Sequence, residues 1–303
     1  MLPTPAQSGG NFEISALAYL QRGELALAWQ VTDDHIAQLG DDRELKAYWT
    51  FRFVRAEILR MRGQIEQARR YLESIGLPSA RDIDSTSALG MHLGYCSALL
   101  GNYKLANTLF TEALELADSA NLLDLQVEIK LRRAMSSFLQ KDLDSAENIY
   151  RDLLEIPSEK IGWYLRSMTL GGVGKILLHR KNFREAITWL KQAIRVLKDA
   201  DAPIRAIGFE SEVALCYLGL DDPSTALNLL QDAALASFEC GAIHLHQVIL
   251  GDIGNVFLYQ REYWTAISYY QRALDLAKEM KDPVKIANWT YNIRLAHAKF
   301  ATA

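Results

Sequence analysis

Residues 254–274 read GNVFLYQREYWTAISYYQRAL, and this stretch decides the fold. Ala266, Tyr270 and Ala273 recur at intervals of four and three, which places them on one stripe of an α-helix. Gly254 lies twelve residues before Ala266, on a separate helix. Small residues on both helices let two backbones approach closely, while the aromatic side chains fill the space between neighbouring pairs. The stretch therefore predicts two helices packed as a pair.

The same pattern returns along the chain with a period near 40 residues. Around Ala186, Gly174 and Leu190 occupy the offsets that Gly254 and Tyr270 occupy around Ala266. The recurring alanines are spaced by 40, 38, 40, 40, 40 and 40 residues, and they are Ala28, Ala68, Ala106, Ala146, Ala186, Ala226 and Ala266. A helix pair alone leaves a face uncovered, and the next pair buries it. The period therefore predicts a stacked array.

Turn residues agree with the predicted helix ends. Gly23, Gly63 and Gly101 stand where first helices should end, and glycine suits the left-handed residue that terminates a helix. Asp-Pro at 222–223 and again at 282–283 supplies an N-cap followed by a first-turn proline. Both kinds of signal fall at the boundaries that the alanine period indicates.

The small, aromatic and small positions resemble the tetratricopeptide repeat over nearly the whole chain. The resemblance implies an all-α, right-handed superhelical solenoid of about seven helix-turn-helix repeats plus a terminal helix over 282–300. We expect a flexible N-terminus over 1–10 and a single solenoid over 11–300, with second helices centred near 28, 68, 106, 146, 186, 226 and 266. The unit is about 40 residues long, whereas the common tetratricopeptide unit has 34 residues. Units of the greater length suggest larger regulatory proteins.

Two segments carry a narrower resemblance. YWTFRFVRAEIL at 48–59 and GDIGNVF at 251–257 resemble the repeat region that precedes the protease-like domain of bacterial CHAT proteins. This implies a bacterial regulatory or sensor module whose C-terminal effector domain is absent from the chain. The sensor region of large ATP-dependent transcription activators, which also uses units near this length, is a related alternative. The second alternative is a free-standing adaptor protein.

Composition excludes several classes of function. The chain has 303 residues, 50% of them hydrophobic and 23% charged, a balance typical of a folded protein. A net charge of -4 provides no basic field for nucleic acid or an anionic membrane. Three separated cysteines match neither a disulfide framework nor a metal site. We therefore expect a cytoplasmic protein without nucleic-acid or membrane partners.

Chemistry-bearing motifs are weak. GGVGK at 171–175 resembles part of a phosphate-binding loop, but Thr169 stands where that loop needs its first glycine and Ile176 where it needs Ser or Thr. Gly174 is better explained as the small position of a first helix. His244 and His246 lack further ligands at helical spacing. The sequence predicts no catalytic residues, no metal, no cofactor and no enzyme activity.

The predicted functional surface is the concave face, lined by the first helix of each pair. Its candidate peptide-binding residues are Glu57, Arg60, His92, Tyr95, Glu128, Arg132, Lys175, Glu212, Asp252, Asn255, Asn288, Tyr291 and Asn292. Their pattern differs from that of tetratricopeptide domains that hold a chaperone's terminal carboxylate. Arg132 and Lys175 are flanked by Glu128 and Glu212. Because these acidic side chains would repel a carboxylate, a site that binds only a peptide's terminal carboxylate is not expected. The three asparagines could bond the backbone of an extended peptide.

These residues predict a scaffold that binds an unidentified protein or peptide. The alternatives are a regulatory module of a longer effector and a receptor for a small molecule or short peptide, built around His92, Tyr95 and Arg132. Reversing the charges of Lys175 and Arg132 to glutamate should abolish partner capture while helicity is unchanged.

Overall fold

The computed structural model describes residues 9–40, 42–79 and 81–302. These residues form fifteen α-helices and one short 3-10 helix, Ser158–Lys160, without a strand. The first eight helices are α1 Gly9–Arg22, α2 Leu25–Leu39, α3 Lys46–Met61, α4 Ile65–Ser74, α5 Ile83–Leu99, α6 Tyr103–Ser119, α7 Leu123–Leu139 and α8 Leu143–Leu154. The others are α9 Trp163–His179, α10 Phe183–Asp199, α11 Pro203–Gly219, α12 Pro223–Glu239, α13 Ile243–Tyr259, α14 Tyr263–Glu279 and α15 Pro283–Ala301. The all-α class, with seven helix pairs and a terminal helix, is confirmed.

The chain divides into two compact units. The N-terminal unit comprises Met1–Met61 with Ile65–Leu165, and the C-terminal unit comprises Arg62–Gln64 with Arg166–Ala303. Of the N-terminus predicted to be flexible, residues 1–8 lie outside the described residues. The single solenoid over 11–300 stays a prediction.

The repeating alanines are fully buried positions of the second helices. All seven, from Ala28 to Ala266, are 0% exposed. The glycines of the first helices lie against the large residues of the second. A Cβ atom on Gly254 would lie 2.7 Å from Cε1 of Tyr270, and one on Gly174 would lie 2.7 Å from Cγ of Leu190. Close approach of the paired helices therefore depends on these glycines.

The predicted helix ends are observed. Gly23, Gly63 and Gly101 have φ angles of 88°, 78° and 82°, the left-handed conformation. The carboxylate of Asp222 accepts a hydrogen bond from the backbone N of Thr225, and that of Asp282 caps α15 in the same manner. Later first helices end differently, because the equivalent left-handed position holds a residue with a side chain. These residues are Lys141, Lys181, Asp221 and Arg261.

The glycine-rich segment 171–175 lies inside α9, where its backbone is helical. A helix interior offers no loop of free amides to hold a phosphate, so the packing interpretation of Gly174 holds. Among the described residues, no helix combines the length and apolarity that crossing a bilayer requires.

Candidate functional site

One register position of the first helices carries polar side chains at 40-residue intervals. From α5 onward it is occupied by His92, Arg132, Gly172, Glu212, Asp252 and Asn292. We call this set the first-helix row. A position that only packed against neighbouring helices would be expected to be apolar. The row therefore marks where the chain departs from packing requirements.

In the N-terminal unit, Glu57 is the centre of a buried ion network. Its carboxylate accepts hydrogen bonds from Nε of Arg60 at 2.8 Å and from Nη2 of Arg132 at 2.9 Å. The same Nη2 also donates to Oε1 of Glu128 at 3.1 Å. The side chains of Glu57 and Arg132 are each only 5% exposed. The network joins α3 to α7, two first helices that are not consecutive.

Aromatic rings complete this network. The guanidinium carbons of Arg60 and Arg132 lie 4.9 and 4.8 Å from the ring centroid of Tyr95, within cation–π range. His92 stacks on Phe53 with centroids 5.1 Å apart. Its Nδ1 atom lies 3.9 Å from Oε2 of Glu57. The six candidate residues of this unit thus form one cluster.

The charges of the cluster are fixed near neutral pH. Burial alone would raise the pKa of Glu57, but Arg132 and Arg60 outweigh it and hold that pKa well below 4.5. Although burial opposes its charged form, Arg132 has a pKa raised above its ordinary value, chiefly by Glu57. Burial lowers the pKa of His92. The charges of two arginines and two glutamates therefore cancel, and the imidazole of His92 beside them is neutral.

In the C-terminal unit, two carboxyl groups lie on α11 and α13. Nζ of Lys175 lies 2.6 Å from Oε1 of Glu212, whereas Oε2 of Glu212 is buried and accepts no hydrogen bond. Asp252 accepts hydrogen bonds from Oγ of Ser211 at 3.1 Å and from Nδ2 of Asn255 at 3.3 Å. Burial is the main cause that raises the pKa of Asp252 to about 7, and the nearby Glu212 adds to it.

The remaining candidates are Asn255, which contacts Asp252, and three residues of α15. The hydroxyl of Tyr270 donates to Oδ1 of Asn255 at 2.8 Å. The amide of Asn255 is therefore hydrogen bonded at both ends, which limits its predicted availability to a peptide backbone. On α15, Asn288 and Tyr291 are exposed and Asn292 is half-buried.

The structure also corrects the proposed charge-reversal test. Arg132 is buried against Glu57 and Glu128, so a glutamate there would place three carboxylates together. Such a variant is expected to lose helical structure as well as binding, because an unpaired buried charge is strongly destabilising. Helicity would not stay unchanged.

Sequence reasoning missed the partners that hold the candidates in place. Phe53 stacks on His92, and Ser211 hydrogen bonds to Asp252. Phe53 falls within the quoted segment 48–59, and Ser211 immediately precedes Glu212, so both could have been considered. Tyr270 was identified only as a core aromatic. Within the described part of the chain, no group of three or more His, Cys, Asp or Glu side chains could hold a metal ion.

Comparison with known proteins places this geometry in a fold class. Residues 249–284 match the family described as tetratricopeptide repeat, so the class is that of tetratricopeptide-like helical repeats. No curated protein matches the chain in sequence.

Solved structures agree with this class. A Rap protein complexed with competence and sporulation factor is 15% identical, with a TM-score of 0.69, over 94% of this chain and 80% of that one. NprR in complex with its cognate peptide NprX is 13% identical, with a TM-score of 0.63, over 95% and 86%. At these identities the likeness shows the fold.

A third similar structure is a signal transduction ATPase with numerous domains from Pyrococcus horikoshii, which carries a tetratricopeptide repeat sensor. It is 16% identical, with a TM-score of 0.61. The match covers 96% of this chain but only 47% of that protein, so this chain spans about half of its length.

Proposed function

We propose that the chain is a scaffold that binds an extended peptide or a peptide segment of a protein on the face formed by its first helices. The observation that carries the proposal is the first-helix row. Polar groups occupy one position in five first helices, where a helix pair has no packing need for them. That this face is the concave side of the array stays a prediction from the sequence.

The energetic cost of burying polar groups on the first helices supports a role in recognition. Burying an ion pair costs desolvation energy that its attraction repays only in part, and apolar replacements are often neutral or stabilising. Glu57 and Arg132 together are therefore dispensable for making a stable core. A rigid surface that presents polar groups in fixed positions lowers the entropy cost of holding a flexible peptide.

The similar structures support the same function. Two of them are described as complexes, one with competence and sporulation factor and one with the cognate peptide NprX. Both cover more than nine tenths of this chain. The shared fold supports binding as the function of this chain, and the NprR complex supports a peptide as what it binds.

A display selection tests the proposal. A random heptapeptide library is selected on the immobilised full chain, and the enriched peptides are resynthesised for fluorescence anisotropy. We expect Asn292→Ala, in the row, to weaken binding about three- to tenfold, the worth of one hydrogen bond. Lys191→Ala, on the exposed side of α10, is the matched control and should bind normally. Failure to select any peptide, or equal loss in both variants, would refute the proposal.

A second candidate function is a sensor module within a longer effector. It is favoured by the similarity to the repeat sensor of the signal transduction ATPase. An immunoblot of source cells tests it, because a band far above 34.1 kDa would indicate a longer protein. The CHAT relationship, the small-molecule receptor, the cytoplasmic location and the absence of nucleic-acid and membrane partners stay predictions.

A further inference from the structure

The two carboxyl groups of Glu212 and Asp252 have one cationic partner in an ion pair between them. Among the described residues, Lys175 is the one cation in an ion pair with Glu212, and Asp252 forms none. Lys285 acts on Asp252 only from a distance. The donors that reach Asp252, the Ser211 hydroxyl and the Asn255 amide, are both neutral.

One oxygen of this pair is left without any donor. Oε2 of Glu212 is buried and accepts no hydrogen bond, although the side chain as a whole is 20% exposed. A buried carboxylate oxygen without a donor is unfavourable, because water no longer solvates it. Burial accordingly raises the pKa of Glu212 even though Lys175 opposes the shift, and a further cationic partner would favour the ionised carboxylate.

The cluster of the N-terminal unit is the internal comparison. There, Glu57 takes hydrogen bonds from two arginines, and Arg132 also reaches Glu128, so two positive and two negative charges balance. The charges of that network balance without a ligand, although Nε of Arg132 is buried and donates no hydrogen bond. The carboxyl pair of the C-terminal unit belongs to the same register of first helices but lacks its second cation.

We propose that Glu212 and Asp252 form the specificity site of the peptide-binding face, and that they bind the cationic side chain of an arginine or lysine in the peptide. The inference rests on the proposed function. An arginine guanidinium carries several N–H donors, enough for charge-assisted hydrogen bonds to the carboxyl groups of both Glu212 and Asp252. Asn255 and Ser211 position the Asp252 carboxyl for this contact.

The protonation of Asp252 is consistent with this role. Because burial and Glu212 raise its pKa to about 7, the carboxyl is only partly ionised near neutral pH without a ligand. An incoming cation favours the ionised form. Binding at this site is therefore expected to release protons.

Peptides selected on the wild-type chain test the inference. Each is resynthesised with citrulline in place of arginine, or norleucine in place of lysine, and affinities are measured for the wild type, Glu212→Gln and Asp252→Asn. The matched control is Glu210→Gln on the same helix, since Glu210 pairs with the exposed Lys198 at 2.8 Å. Circular dichroism melts confirm that every variant is folded.

We expect the selected peptides to share a basic residue whose neutral replacement costs about 30-fold or more in affinity, as for a charge pair held in a buried site. Glu212→Gln or Asp252→Asn should produce a similar loss, and Glu210→Gln should not. Peptides that bind without a basic residue, or equally well to Asp252→Asn, would overturn the inference while leaving the proposed function in place. If no peptide is selected, the proposed function fails and this inference fails with it.

Discussion

Replacing Glu57 with glutamine tests whether the buried ion network is a structural element of the N-terminal unit. The carboxylate is 5% exposed and receives hydrogen bonds from Arg60 and Arg132. Glutamine keeps the shape but removes the charge, so two guanidinium groups lose their shared counterion. Only Glu128, on the partly exposed side of Arg132, still compensates.

The expected magnitude follows from burial. Removing one partner of a buried pair costs about 3–5 kcal/mol, a large part of the stability of an ordinary domain. The assay is urea unfolding followed by circular dichroism at 222 nm, with the unfolding midpoint compared between variants. Since the pKa of Glu57 lies well below 4.5, its contribution is complete above that pH and is lost as the pH falls through the lowered value. The difference between wild type and Glu57→Gln should narrow at acid pH.

Glu66→Gln is the matched control for this prediction. Glu66 also accepts hydrogen bonds from two arginines, Arg69 and Arg70, but on the exposed surface of α4. The two glutamates differ mainly in burial, so Glu66→Gln should leave the unfolding midpoint nearly unchanged. Equal shifts of the unfolding midpoint in the two variants would refute the reasoning that burial makes the Glu57 network contribute strongly to stability.

Three further predictions concern packing, backbone and titration. Gly254→Ala should destabilise the fold by about 1–3 kcal/mol in thermal unfolding, since its Cβ would lie 2.7 Å from the Tyr270 ring; Gly208→Ala, whose Cβ has its nearest neighbour at 3.8 Å, should be neutral or stabilising. Lys141→Gly should raise the melting temperature through a gain of up to about 1 kcal/mol, because φ is 63° there; a lower melting temperature would contradict this. Asp252 has a folded pKa of about 7 against an ordinary 3.8, so the folded wild type loses stability as pH rises from 4 to 7. In urea unfolding, the free energy of unfolding of Asp252→Asn relative to that of the wild type should rise by about 2–4 kcal/mol between pH 4 and pH 7. If the stabilities of the two proteins depend on pH in parallel, Asp252 does not titrate in this manner.

The repeat architecture follows from sequence because its signals are local and periodic. The alanine period located second-helix core positions, and Gly23, Gly63 and Gly101 marked the ends of their first helices. The equivalent turns at Lys141 and Lys181 carried no such signal, since lysine rarely adopts a positive φ. There, the stacking of the flanking helices imposes the left-handed residue.

The sequence placed the candidate residues on one predicted face, but it did not predict their contacts or their protonation. The repeat register selected Glu57 and Arg132 as neighbours of one face. Their direct contact across 75 residues depends on how three repeats stack, which no local pattern encodes. The same limit applies to Asp252, because its low charge near neutral pH comes from burial and from the nearby Glu212.

Photo-crosslinking of a selected peptide tests the central claim most directly. A benzophenone amino acid is placed at each peptide position in turn, and the crosslinked residues of the full chain are identified by mass spectrometry. The account predicts crosslinks on first helices, either on α5 and α7 or on α11, α13 and α15. Crosslinks confined to the second helices α6, α10, α12 and α14 would contradict it.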